Sequence, residues 1–155
     1  MKLYLIQHGL AKSKDEDPKR PLSELGWIQT KKIATLMAAV GKIKPTKIYH
    51  SGKPRAKQTA ELLAKHLELL NNIEQVDGLA PMDEPKIWAD NIAKSSKDIM
   101  LVGHLPHLQK LAALLLFQNE NKSIINFQNS GILCLEEDDT GVWTLKWMVV
   151  PGVLP

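Results

Sequence analysis

A single cysteine in 155 residues leaves no partner for an internal disulfide, so packing alone must hold the fold. That residue, Cys134, sits in "GILCLE", which reads as a buried strand, where a thiol is inert. No apolar run approaches the roughly 18 residues that a membrane span requires, and the one in "MKLYLIQHG" is too short for a signal-peptide core. A cytoplasmic protein without a membrane role is therefore expected. Charge of one sign is also lacking: Lys and Arg number 20 against 17 Asp and Glu, a formal balance of +3. The lysines are scattered through helical patterns and form no basic block interleaved with aromatics, which argues against nucleic acid as a partner. The mild positive balance still suits an anionic substrate. No repeat, low-complexity tract or linker interrupts the chain, and one domain over residues 1–155 is expected.

What is present is an alternation of short apolar runs and helical stripes. Lys2 to Gln7 reads as a buried strand. A proline-punctuated loop, "EDPKRPLS", leads to a helix capped by Ser23 and ended by Gly41, with Leu25, Ile28, Ile33, Leu36, Met37 and Val40 expected on one inward face. Thr46 to His50 is a second strand, Pro54 opens a second helix, and Ile73 to Val76 a third strand. Asp83, Glu84 and Pro85 begin another helix that carries Ile87, Trp88 and Ile92 inward. "DIMLVGH" is a fourth strand, followed by a helix striped with Leu108, Leu111, Ala112 and Leu115. This alternation predicts an α/β fold, a mostly parallel sheet with helices on both faces. The last part, "GILCLEEDDTGVWTLKWMV", predicts an antiparallel hairpin at the sheet edge, with Trp143 and Trp147 sharing a face.

Ligands of such sheets collect beyond the carboxyl ends of the strands. Three stretches fall there: "QHG", "HSGKPRAKQT" and "GHLPH". They offer His8, Ser51, Arg55 and His104, with Arg20 available from the long first loop. Two imidazoles and two guanidiniums describe an anion site, since arginine's planar fork matches phosphate oxygens. Arg55 in a helical first turn sits badly with the helix dipole, a misfit that a bound anion would relieve. Ser51 reads either as a phosphate donor or as the start of a turn.

Together "LIQHGLA", "KRPLSELG", "SGKPRAKQTAELLA", "LAPMDEP" and "VGHLPHL" resemble the histidine phosphatase superfamily, and within it the SixA-type phosphohistidine phosphatases. The resemblance runs over nearly the whole chain and implies a three-layer phosphoglycerate mutase-like fold. It implies that His8 is a nucleophile that becomes transiently phosphorylated, that Arg55 and Arg20 hold phosphoryl oxygens, and that His104 completes the pocket as a donor. Gly9 would leave room for the incoming phosphate. Phosphoryl transfer of this kind depends on positioning and charge neutralisation, so no cofactor or metal is implied. The partner implied is a phosphorylated protein of the histidine-phosphotransfer type or a small phosphorylated molecule, acted on by a monomer.

The family's first motif is Arg-His-Gly, and here Gln7 precedes His8. Gln7 can donate a hydrogen bond to substrate but brings no charge. Charge-assisted bonds are worth roughly 1.5–3 kcal/mol, so the exchange costs about tenfold to a hundredfold in rate. A rival reading is thus a phosphate-binding module with lost or reduced turnover, and another is a small-molecule phosphomonoesterase. The region "VDGLAPMDEP" supplies no compelling general acid, since Asp83 and Glu84 read equally as capping residues, which favours a labile substrate such as phosphohistidine. Arg20 has a competing salt bridge to Asp15, Glu16 or Asp17. His107, close to His104, lacks a cysteine or carboxylate partner for a metal and is expected behind the site or on the surface. His50 and His66 read as incidental, while Asn129 and Ser130 read as pocket rim or turn.

Overall fold

The computed structural model describes residues 1–122 and 124–155. Six strands form one sheet in the order β3-β2-β4-β1-β5-β6. The strands are β1 (Lys2–Gln7), β2 (Lys47–His50), β3 (Ile73–Gln75), β4 (Ile99–Gly103), β5 (Ile132–Glu137) and β6 (Trp143–Val149). Between them run α1 (Glu24–Val40), α2 (Pro54–His66), α3 (Pro85–Ala93) and α4 (His107–Phe117). The first four strands are mutually parallel, and β5 and β6 add the antiparallel edge.

The central strand shows why the layers form. In β1, Tyr4 and Ile6 enter a core with Ile33, Met37, Ala60 and Leu63 from α1 and α2, whereas Leu3 and Leu5 enter a second core with Trp88, Ile92, Leu108 and Leu111 from α3 and α4. Both faces of the sheet are covered, as a parallel sheet requires. Helix α1 starts where Ser23 Oγ accepts from Gly26 N and closes at Gly41, whose N–H donates to Ala38 O. The hairpin turn is built on Asp138, whose Oδ1 accepts from Thr140 N and Val142 N.

Three packing expectations are corrected. The buried stripe of α1 is Gly26, Thr30, Ile33, Ala34 and Met37, while Leu25, Ile28 and Val40 stand 46–49% exposed. Small and polar residues take inward positions because a Cβ at Gly26 would collide with the Leu10 carbonyl, and Thr30 bonds Ser130 behind the site. Ile87 in α3 is likewise exposed, with Trp88 and Ile92 alone of the three turned inward. Trp143 and Trp147 do not share a face: a bulge between Cys134 and Leu135 pairs Cys134 with Trp147 but Leu135 with Leu145. One extra residue reverses the alternation. Trp147 thus packs on the α1/α2 core and Trp143 on the other. No described helix is long and apolar enough to cross a membrane.

Candidate active site

β2, β4 and β1 lie side by side with their carboxyl ends together, so the three stretches that follow them converge. His8 follows Gln7, whose Cα pairs with Gly103 on β4, and His104 follows Gly103 directly. The two imidazole rings lie with centroids 4.9 Å apart and are tilted 53° to one another. Ser51, just beyond β2, has its Oγ 2.6 Å from His104 Nε2. Arg55, in the first turn of α2, donates from Nε to His8 Nε2 at 3.2 Å.

These bonds define the tautomer of His8. Its Nδ1 lies 2.7 Å from the carbonyl of Gly9, which can only accept, so the proton sits on Nδ1. Nε2 therefore carries the lone pair, in agreement with its acceptance of the Arg55 N–H. Burial lowers the pKa of His8 from 6.5 to about 4, helped by the Arg55 and Arg20 charges and opposed by the Gly9 hydrogen bond. His104 is lowered to about 3, again mainly by burial, then by His8, Arg55 and Lys53. Both rings are neutral at pH 7. Burial also lowers the pKa of Arg55, with Arg20 adding to the effect.

The backbone around His8 is tied to several elements. His8 N donates to Gly103 O at 3.1 Å, Asn129 Nδ2 to His8 O at 2.9 Å, and Ser130 N to Gln7 O at 3.0 Å. Gly9 N donates to Thr59 Oγ1 at 2.9 Å, and that hydroxyl donates to Arg55 O at 2.7 Å. A buried threonine of α2 thus links the His8–Gly9 turn to the backbone of Arg55. Sequence reasoning passed over Thr59 and Thr30; their signal was a polar residue at a buried helical position. Asn129 and Ser130 serve as struts for the turn.

The reason for Gly9 is corrected. A Cβ there would meet Thr30 Oγ1 at 2.6 Å, Leu22 Cδ2 at 2.8 Å and Ser130 Oγ at 3.1 Å. The glycine is required by the protein behind it. The side chain of Gln7 bonds none of the other site residues; it borders a cavity of about 430 Å³ shared with Gln29, Gln128 and Asn129, and its Oε1 is buried without a partner. Arg20 forms no ion pair with Asp15, Glu16 or Asp17 among the described residues. Its Nε donates instead to Lys12 O at 3.1 Å, and it borders a cavity together with Arg55.

His107 is fully buried, not superficial, and neither of its ring nitrogens has a partner. Burial lowers its pKa, against a small opposing influence of Asp83. His50 is also buried and accepts from Gly52 N, whereas His66 Nδ1 lies against the Leu62 carbonyl within α2. Asp83 closes its own loop, accepting from Ala80 N at 2.8 Å. Among the described residues no group of three or more His, Cys, Asp or Glu is arranged to hold a metal.

The architecture is the phosphoglycerate mutase-like α/β fold. A solved protein histidine phosphatase SixA, complexed with tungstate, superposes with a TM-score of 0.85 at 23% identity, covering 98% of each chain. A candidate phosphohistidine phosphatase SixA from Agrobacterium tumefaciens gives 0.78 at 23% identity over 97% of each chain. The alpha-ribazole phosphatase from Shigella flexneri also gives 0.78, at 15% identity, covering 97% of this chain and 96% of its own. At these identities the likeness is one of fold. The family model of the histidine phosphatase superfamily, branch 1, matches residues 3–88, and the chain belongs to that family. It is a phosphatase of the SixA-type architecture. No curated protein matches it by sequence comparison.

Proposed function

We propose that this protein is a phosphohistidine phosphatase acting through a covalent phospho-His8 intermediate. The observation that carries the reading is the forced tautomer of His8, with an unprotonated Nε2 held 3.2 Å from Arg55 Nε in a pocket shared with His104. In the first step the Nε2 lone pair bonds phosphorus, and the bond from phosphorus to the leaving imidazole nitrogen breaks with its electron pair, which takes up a proton. In the second, water bonds phosphorus, the P–Nε2 bond returns its pair to His8, and the water proton passes to solvent. Arg55 turns from Nε2 to the phosphoryl oxygens, Arg20 adds a second guanidinium, and neutral His104 donates one hydrogen bond. Ser51 holds the His104 ring, and the Gly9 carbonyl holds the His8 ring.

The substrate class follows from what protonates the leaving group. Asp83 is tied to Ala80 N, and both site imidazoles are neutral at pH 7, so no strong acid is at hand. A P–N bond to imidazole needs less assistance than an alkyl phosphate ester, which favours phosphohistidine on a protein. The second reading is a phosphate-binding module with lost or reduced turnover, favoured by the uncharged Gln7 where the family has arginine.

The test is hydrolysis of a phosphohistidine protein and of an aryl phosphate by wild-type and His8→Ala protein, with acid-labile labelling of His8 by a phosphodonor. His8→Ala is expected to lose about a thousandfold or more in kcat, as removal of a nucleophile does. Turnover that survives the substitution sinks the covalent step, and preference for the ester sinks the phosphohistidine reading.

A further inference from the structure

Arg55 links His8 to a cavity beside it. Its Nε reaches His8, and the same side chain forms one wall of a cavity of about 360 Å³. The other charged walls are Lys14, Lys19, Arg20 and Lys53, and no carboxylate is among the described lining residues. Pro18, Pro54 and Pro81 supply the remaining walls, their backbones stiffened by their rings.

Cations gathered around one cavity repel each other unless an anion sits among them. Of the acidic residues close in sequence, Glu16 and Asp17 are engaged elsewhere: Glu16 Oε2 accepts from Ser13 N at 2.9 Å and Asp17 Oδ1 from Lys19 N at 3.0 Å. Lys14, Lys19 and Lys53 form no ion pair among the described residues. Arg20 is tethered over the cavity, its backbone at φ 50°, its N–H on Asp17 O and its Nε on Lys12 O. A phosphoryl group carries at most about two negative charges, which Arg20 and Arg55 already match. The three lysines are surplus to it.

We propose that this cavity is a second anion site, so that the molecule presenting a phosphoryl group to His8 carries a further carboxylate or phosphate beside it. The proposal rests on the reading of His8 as the phosphoryl acceptor. The neighbouring anion can be acidic side chains flanking a phosphohistidine on a protein, or a second acidic group of a small molecule.

Calorimetric titration with inorganic phosphate and with pyrophosphate tests it without requiring turnover, so failure of phosphohistidine hydrolysis and failure of this site are told apart. Wild-type protein is expected to bind pyrophosphate about tenfold more tightly than phosphate, from a few partly screened ion pairs. In the combined Lys14→Gln, Lys19→Gln and Lys53→Gln variant that ratio is expected to fall to near unity, and in wild type it is expected to shrink with added salt. All three lysines are exposed, and thermal melting checks that the variant folds. Equal affinity in wild type, or a preference that survives the three substitutions, overturns the proposal.

Two phosphohistidine peptides, one flanked by Asp and one by Asn, separate the sources. A higher kcat/KM for the acidic peptide that disappears in the variant supports a protein substrate. Equal rates together with a lysine-dependent pyrophosphate preference support a small one.

Discussion

His8 is held at both ring nitrogens, at 2.7 and 3.2 Å, and its backbone is tied to β4, α2 and the turn before β5, whereas Lys14, Lys19 and Lys53 across Arg55 touch no carboxylate. Both regions gather nitrogen around a space suited to an anion. The inner one is built around imidazoles whose charge has been removed by burial, since His8 and His104 are neutral where a solvated imidazole would be about a quarter charged at pH 7. The outer one keeps exposed ammonium groups on a loop and a helix cap. A nucleophile needs a lone pair in a defined direction, which costs orientation and burial; recognition of a mobile acidic partner needs only charge of the right sign at the right place.

Acid should separate the regions most. The folded protein resists protonation of His8 and His104, whose pKa values fall from 6.5 to about 4 and about 3, so the unfolded chain binds more protons between those limits. The stability they contribute is complete above pH 6.5, is lost as pH falls toward 4 and then 3, and declines no further below. Each tenfold drop in proton affinity on folding is worth about 1.4 kcal/mol, so the loss amounts to several kcal/mol. Urea midpoints from pH 7.5 to 4 check this, with ring-proton titration by NMR assigning the groups. His104→Gln is expected to flatten the slope strongly; the lysine variant flattens it only slightly, through loss of the Lys53 charge that helps depress His104. An unchanged midpoint across that range would remove the contrast between the two regions.

Gln7→Arg restores a charge to the inner region. The cavity bordered by Gln7, of about 430 Å³, has room for the longer side chain. A gain of about tenfold to a hundredfold in kcat is expected from one charge-assisted bond made in the transition state. Rates on both substrates before and after the exchange measure it. No gain would mean that Arg55 and Arg20 already saturate the phosphoryl oxygens.

Much of this was legible in the sequence, and the exceptions share one cause. Strand β1, the Ser23 cap, the opening of α2 at Pro54 and the terminal hairpin all follow from local signals: apolar runs, capping residues, proline and turn residues. That His8, Arg55, Ser51 and His104 come together was legible because strand ends in such a sheet are neighbours. The misreadings lie where the backbone of one segment presses on another. Gly26 and Thr30 occupy the buried stripe of α1 because Leu10 and Ser130 come so close, and no hydropathy pattern announces that. The bulge that parts Trp143 from Trp147 is a matter of register between strands. Of the two places the sequence left open for His107, behind the site or on the surface, its burial selects the first.

Gly9→Ala probes how firmly the inner region is set. The new methyl meets Thr30 Oγ1 and Leu22 Cδ2 inside van der Waals contact. Overpacking of this sort costs about 1–3 kcal/mol, which lowers Tm by roughly 2–4 °C for each kcal/mol in a domain of this size. Scanning calorimetry checks the loss. Were crowding of the phosphate the reason for the glycine, KM would rise while Tm stayed put.

Ser51→Ala is the smallest and the most discriminating change. The Ser51 hydroxyl is the one described partner of the His104 ring, at 2.6 Å from Nε2, because Nδ1 is buried with none. Removing it leaves a fully buried imidazole free to turn, at a cost of about 1 kcal/mol, or roughly fivefold in rate. The loss should appear in kcat and leave KM nearly unchanged, since Arg55 and Arg20 still hold the phosphoryl group. Ser51→Thr keeps the hydroxyl and should restore the rate. A merely structural serine would lower Tm in the alanine variant without that split, and a serine that bound phosphate directly would raise KM. The kcat-only loss with threonine rescue belongs to a hydroxyl that acts through His104, and a parallel loss in pyrophosphate preference would show that inner and outer regions are coupled through the β2–α2 turn that carries Ser51, Lys53 and Arg55.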